Sequence, residues 1–456
     1  MRARGNRRHR AGAMTGITMT GMMSGIRKTA TRTAMSRILV AALVPAGLLI
    51  GSGLLAGCGE EAGMARPARA AEPARTGAAP SPTPAPLTPL PAPEGEEAFY
   101  QPPDPLPEGR PGDVVWSRPV PAGGELAARG ASAHRVLYLS TDARGEPTAV
   151  SGLVYLPANA GPATPVVGYA PGTQGLGDAC APSKSLSRQD ATQPGDLLAA
   201  LDHGWAVALT DYEGLGTPGE HTYVVGQAEG RALLDAVRAA TRLPGGSLSA
   251  DAQVAVMGYS QGGGAAVWAG ELAPSYAPEL KLVAVVGGGV PADLAAVGRA
   301  LDGTTYAGLA FAAALGLDAA YPELDLDGFL TDDARQQIAD MRTKCLVDMV
   351  VANAGRAIAD ITTTNPLDTP EWGARLAENS LGANPPTVPV YLYHGTSDTV
   401  VAYPQAEALR GRYCAAGAEV TWTPLPGDHP DVVAHYPAAI QFLADRFAGQ
   451  PKPGNC

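Results

Sequence analysis

Three kinds of pattern are missing from this chain. There is no HExxH, the 7 histidines are scattered, and the 5 cysteines lack the close spacing of a zinc or dithiol motif, so no metal site and no cofactor are expected. There is no phosphate-binding loop and no dinucleotide fingerprint. Gly258 to Gly264 is glycine-rich without the GxGxxG order, and Gly287-Gly288-Gly289 reads as a loop after a strand. Beyond the N-terminus there is no basic patch. Residues 1–57 hold nine Arg or Lys and no acid, so the formal net charge of −11 becomes −20 for the remainder. A body this acidic repels nucleic acid and anionic lipid surfaces, and no nucleic-acid partner is expected.

The N-terminus reads as a targeting segment. Arg27, Lys28, Arg32 and Arg37 flank an apolar run from Ile38 to Leu55 that Pro45 and several glycines interrupt. Leu54-Leu55-Ala56-Gly57-Cys58 ends that run and resembles a bacterial lipoprotein signal, in which cleavage precedes a lipidated cysteine. The resemblance implies a signal segment over residues 1–57, a lipid anchor on Cys58, and a protein exported to the outer face of a membrane. From Ala62 to about Pro93 the chain is rich in Pro and Ala with almost no aliphatic pattern, so residues 58–98 read as an extended tether. Four cysteines remain, Cys180, Cys345, Cys414 and Cys456. An even number in an exported protein suggests disulfides, and four cysteines allow three pairings among which spacing does not choose.

Residues 99–456 form the expected catalytic body. With 45% hydrophobic and 17% charged residues, the composition suits a globular enzyme with a sizeable core. Arg135–Ser140 and Ala149–Leu156 read as a hairpin around Asp142–Pro147. Apolar strands then alternate with helical stretches. Strands are expected at 165–169, 205–209, 254–257, 282–286, 388–393 and 419–425, and helices near 195–203, 227–243, 263–270, 404–415 and 436–447. This alternation implies a mostly parallel, doubly wound sheet covered on both faces. It stops between about Val290 and Pro386, where Ala- and Leu-rich helical patterns such as 331–351 replace it. That stretch reads as a helical cap inserted into the fold.

Gly258-Tyr259-Ser260-Gln261-Gly262 lies between the apolar run Val254–Met257 and a small-residue helix, the strand–turn–helix context of a nucleophile elbow. A serine nucleophile needs a base to accept its proton and an acid to orient the base. Asp398 follows the strand at 388–393 and His429 follows the last strand, giving the order serine, acid, histidine. His435 is the rival base and Asp211 the rival acid, while His203, His221 and His394 read as hydrogen-bonded structural residues. An acyl-transfer oxyanion needs preorganised N–H donors. The Gln261 N–H is one candidate. The loop Tyr169–Gly175 supplies the other, with Thr173 favoured and Gly172 and Gln174 as neighbours.

From about Phe99 onward the chain resembles the secretory lipase family of α/β-hydrolases, the group that includes Candida antarctica lipase A. The resemblance is carried by Tyr100-Gln-Pro-Pro-Asp104, Pro111-Gly-Asp113, Ser117-Arg-Pro119, Tyr138-Leu-Ser-Thr141, Gly172-Thr173 through Cys180-Ala-Pro-Ser183, Asp211-Tyr-Glu-Gly-Leu-Gly216 and Gly258–Gly262. It implies a serine-dependent lipase or carboxylesterase with a helical cap, the triad Ser260, Asp398 and His429, and the disulfides Cys180–Cys345 and Cys414–Cys456. Its implied partner is a lipid or small ester substrate. One departure stands out: many relatives carry histidine before the Gly-Thr of the oxyanion loop, where this chain has Pro171. A peptidase on the same fold, using Glu323, Asp325 or Asp327 to bind a substrate amine, and a non-catalytic surface lipoprotein are the alternative functions.

Overall fold

The computed structural model describes residues 84–456 apart from 122, 189, 190 and 452. The expected signal segment, Cys58 and most of the tether lie outside the described residues. The described part of the tether is packed rather than free. Leu87 N–H donates to Asp113 at 2.9 Å and Leu90 N–H to Val115 O at 2.8 Å, so the packed body reaches back beyond the expected start at Phe99.

Nine strands build one sheet: β1 (Val114–Val120), β2 (Ser132–Thr141), β3 (Pro147–Leu156), β4 (Val166–Ala170), β5 (Ala206–Thr210), β6 (Gln253–Tyr259), β7 (Lys281–Gly288), β8 (Val390–Gly395) and β9 (Val420–Leu425), in the order β1-β2-β3-β5-β4-β6-β7-β8-β9. The first three strands and the β3–β5 pair are antiparallel; from β5 to β9 every neighbour is parallel. The expected hairpin is β2–β3. β1 is a strand that the sequence pattern does not predict. It carries Pro119, a residue that sheets accommodate at an edge such as this one.

Ten helices of eight residues or more occur among the described residues: α1 (Gly195–Asp202), α2 (Gly226–Thr241), α3 (Gln261–Tyr276), α4 (Leu294–Leu301), α5 (Ala307–Ala320), α6 (Asp332–Met341), α7 (Leu346–Asn353), α8 (Pro370–Glu378), α9 (Tyr403–Ala415) and α10 (Tyr436–Phe447). The parallel strands β4, β5 and β8 are buried along their whole length, because successive side chains point to opposite faces and both faces are covered. Val254 and Val256 pack with α2 and α3, whereas Ala255 and Met257 pack with Leu197 and Leu201 of α1 and Phe442 and Leu443 of α10.

Helices α4 to α8 occupy the interval between β7 and β8 and share a separate apolar core that includes Phe311, Leu315, Ile338 and Trp372. The single helical pattern expected over 331–351 is two helices. Between them Leu176 N–H donates to Lys344 O at 2.9 Å and Leu346 N–H to Gln174 O at 2.8 Å. Pairing with the loop after β4 therefore takes the backbone groups that a continuous helix would use. Cys345 in that break is bonded to Cys180, with Cα atoms 5.5 Å apart, and Cys414 is bonded to Cys456 at 5.4 Å. Among the described residues no helix is long and apolar enough to cross a membrane.

Candidate active site

Parallel strands all end on one side of the sheet, so the loops after β4, β6, β8 and β9 converge there. Ser260 sits between β6 and α3 with φ 60° and ψ −123°. For a non-glycine residue this strain costs of order 1–3 kcal/mol, and the surroundings must hold it. They do so through the Ser260 N–H, which donates to Gly288 O at 2.9 Å, and through close backbone packing. A Cβ on Gly262 would stand 1.9 Å from Ala170 O, so only glycine lets the turn lie against the end of β4.

Asp398 lies in the loop after β8. Its Oδ1 accepts the N–H groups of Val400 and Val401 at 2.9 and 2.7 Å, and its Oδ2 accepts His429 Nδ1–H at 2.6 Å. Burial would raise this carboxyl, but the hydrogen bonds from His394, His429 and the Val401 N–H outweigh it and hold the pKa far below the ordinary carboxylate range. The His429 Nδ1–H bond fixes the tautomer in which Nε2 carries the lone pair, and that buried Nε2 has no protein hydrogen-bond partner. His429 stands at the elbow. Its ring lies 4.9 Å from that of Tyr259, its carbonyl accepts the Tyr259 hydroxyl at 2.6 Å, and a Cβ on Gly289 would meet its Cε1 at 2.7 Å. Ser260 is thus bracketed by Tyr259 and the Gly288–Gly289 turn, the two features on which the imidazole rests.

The loop after β4 completes the cluster. A Cβ on Gly172 would lie 3.3 Å from Tyr259 O, and Pro171 O accepts the Tyr212 hydroxyl at 2.7 Å. Thr173 Oγ1 shares a 2.8 Å hydrogen bond with the Tyr223 hydroxyl. Gln261 opens α3, where the first N–H groups have no acceptor within the helix.

The rival residues are engaged elsewhere. His435 pairs with the Tyr391 hydroxyl at 2.7 Å, and Asp211 accepts from Ser151 Oγ at 2.6 Å and Ser183 N–H at 2.7 Å. His203 stacks on Trp205. His394 is buried beside the acid, 3.2 Å from Asp398 Oδ2 and 2.7 Å from Val401 O. That contact is not among the sequence expectations, although only three residues separate the two at one strand end. Neither is the role of Asp428. Its carboxylate accepts the N–H and hydroxyl of Thr399 at 2.7 and 2.9 Å and the His429 N–H at 2.7 Å, clipping the two loops together. The adjacency of Asp428 to His429 is the one signal for it in the sequence.

Above Ser260 and Gln261 a cavity runs into the inserted helices, lined almost wholly by apolar side chains such as Leu301, Phe311, Leu317, Ile338, Trp372 and Val401. Glu323, Asp325 and Asp327 are not among its lining residues; Glu323 instead pairs with Arg375.

The profile of the family described as secretory lipase matches residues 189–455. This chain belongs to the secretory lipase family. A probable inactive lipase of Mycobacterium tuberculosis is 32% identical to it over 387 residues, spanning 78% of this chain and 83% of that one. Lipase 5 of Candida albicans is 30% identical over 394 residues, spanning 80% and 84%. Among solved structures, Candida antarctica lipase A in its closed state matches with a TM-score of 0.67 at 28% identity, over 76% of this chain and 86% of that one. The α/β-hydrolase architecture with inserted helices is accordingly the fold of this secretory lipase family member.

Proposed function

We propose that this protein hydrolyses carboxylic esters through Ser260, His429 and Asp398. His429 Nε2 accepts the Ser260 hydroxyl proton as Oγ attacks the ester carbonyl. The N–H groups of Gln261 and Thr173 stabilise the oxyanion. His429 then delivers its proton to the leaving alcohol, and water repeats the sequence on the acyl-enzyme to release the acid. Asp398 keeps Nε2 the acceptor and stabilises the imidazolium. The observation that carries this reading is the 2.6 Å bond from His429 Nδ1 to a buried, ionised Asp398, with Nε2 unpartnered and the imidazole packed on Tyr259, the residue before the strained Ser260.

The apolar cavity over Ser260 supports an acyl chain as the group bound there, and acylglycerols as the substrate class, with shorter esters also accepted. The N-terminal sequence supports export of a body tethered by residues 58–98 and anchored through a lipid on Cys58; a Cys58→Ser change is expected to release the protein from membranes without altering its turnover.

Ester hydrolysis is tested with nitrophenyl esters from acetyl to oleoyl. Ser260→Ala is expected to lose at least about 10⁴-fold in kcat, and Asp398→Asn about 10⁴-fold with the fold intact. Undiminished turnover in Ser260→Ala rejects the assignment. The relative described as inactive motivates a second reading, a non-catalytic binding protein on this scaffold. A folded wild-type protein without turnover on any ester of the series selects it.

A further inference from the structure

The hydrolytic residues do not account for an acid buried beneath them. Glu229 of α2 is 2% exposed, and a carboxyl in that setting needs specific partners. One oxygen, Oε1, accepts two hydrogen bonds, from Gln261 Nε2 at 2.7 Å and from the Val224 N–H at 2.8 Å. The Gln261 amide also reaches His221 Nε2 at 3.1 Å, and His221 Nδ1–H donates to Glu213 O at 2.8 Å. That polarity requires a neutral imidazole. Burial lowers the His221 pKa to about 4 despite the opposing bond to Glu213 O. Burial likewise pushes Glu229 up to about 8 against the pull of Gln261 and Val224. Near pH 7 the cluster is therefore neutral and every amide hydrogen in it has an acceptor.

Both arms of the cluster end at an oxyanion donor. The Gln261 side chain belongs to the residue whose N–H opens α3. Val224 holds φ 56°, an outlying conformation for a β-branched residue, and the Glu229 acceptor is what its N–H meets there. Its neighbour Tyr223 carries the hydroxyl bonded to Thr173. Glu229 itself does not line the substrate cavity, whereas Tyr223, Val224 and Gln261 do.

We propose that Glu229 is a positioning residue for the oxyanion hole, its single carboxyl oxygen setting both the Gln261 side chain and the 221–225 turn that braces Thr173. The inference rests on the assignment of Gln261 and Thr173 as the oxyanion donors. A carboxyl that merely fills space under α3 changes thermal stability alone. A positioning carboxyl changes kcat, because donors displaced by a fraction of an ångström still admit substrate but no longer meet the transition state.

The test measures kcat and KM on a nitrophenyl butyrate ester for Glu229→Ala, Glu229→Gln, Gln261→Ala and the Glu229→Ala/Gln261→Ala pair, with melting curves for each. Glu229→Ala is expected to lower kcat about 10- to 100-fold with KM within about twofold. Glu229→Gln retains the acceptor oxygen and is expected to stay within about threefold of wild type. The double variant should be no slower than the slower single, since both remove one coupled unit. Unchanged kcat in Glu229→Ala, or single effects that multiply in the pair, overturns the proposal. Should Glu229→Ala fail to fold, Gln261→Ala decides: about tenfold lower kcat at constant KM supports the role, and wild-type kcat overturns it. Ser260→Ala run alongside separates the two levels. Undiminished turnover there rejects the nucleophile, whereas a disabled Ser260→Ala with an undamaged Glu229→Ala rejects only the part given to Glu229.

Discussion

Around Ser260 backbone packs on backbone. A Cβ on Gly262 would approach Ala170 O to 1.9 Å, and one on Gly263 would approach Gly288 O to 2.3 Å. In the inserted helices the wall of the cavity is made by side chains. Gly298 of α4 lines that cavity, and a Cβ added there would have no neighbour nearer than Leu367 Cδ1 at 3.5 Å. The two regions thus divide the work. The sheet end holds the atoms of the proposed triad, whose positions such a reaction could not relax, and the insertion holds a surface whose shape can change without touching them.

Two matched substitutions break this comparison if it is wrong. Gly262→Ala is expected to destabilise by more than about 3 kcal/mol or to prevent folding, because main-chain atoms cannot rotate out of the way as side chains can. Gly298→Ala is expected to be neutral or to stabilise by up to about 1 kcal/mol, since it replaces a helical glycine with the best helix former. Melting temperatures compare them directly, and similar values for the two would end the distinction. The connection between the regions gives the next effect. Cys180→Ser/Cys345→Ser opens a covalent link across a separation of 165 residues and should cost about 2–5 kcal/mol, read from denaturant midpoints. Turnover of the folded fraction should fall much less than in Ser260→Ala, because backbone pairing of Leu176 with Lys344 and of Leu346 with Gln174 remains.

A smaller effect sharpens the role of the insertion. Gly298→Leu puts four carbons into the cavity wall and is expected to lower kcat/KM for oleoyl relative to butyryl esters about tenfold, leaving butyryl turnover near wild type. An equal loss on both esters would mean that the helix, rather than the cavity, had been disturbed.

These asymmetries also explain what is legible in the sequence. The parallel strands show as apolar runs because both faces are covered, and Ser260, Asp398 and His429, the residues of the proposed triad, show because each stands directly after such a run. β1 does not show, because an edge strand of Val-Val-Trp-Ser-Arg-Pro-Val lacks that signature. The break between α6 and α7 is hidden because a partner distant in sequence, the loop 174–177, creates it, and local periodicity across 331–351 carries no trace of that loop. Glu229 is invisible for a related reason. An acid in the first turn of an amphipathic helix looks like part of a solvated, dipole-matched end, and only the packing of α2 on α3 puts Gln261 over it. His394 is the buried, hydrogen-bonded residue its sequence position implies, but its contact with Asp398 depends on how the loop after β8 curls back.

The smallest effect concerns how stability varies with pH in the buried cluster below the elbow, in contrast to Asp398. Asp398 stays ionised through the neutral range and adds no slope there. Glu229 is raised from 4.5 to about 8, so between these values the unfolded chain has released a proton that the native protein keeps, and stability falls as pH rises. His221 is lowered from 6.5 to about 4; there the unfolded chain holds the extra proton, stability rises with pH, and the two slopes oppose each other until about pH 6.5. Glu213, raised to about 7 by burial and by the nearby Asp142 charge, adds to the downward slope. Comparing wild type with Glu229→Gln cancels the other groups. From about pH 6.5 to about pH 7.5 the wild type should lose up to about 1.4 kcal/mol relative to the variant, the limit for one proton per pH unit. Melting curves that stay parallel across that interval would mean that Glu229 is already ionised in the folded protein, and the neutral hydrogen-bond order assigned to Glu229, Gln261 and His221 would have to be redrawn with a buried negative charge 2.7 Å from the Gln261 amide.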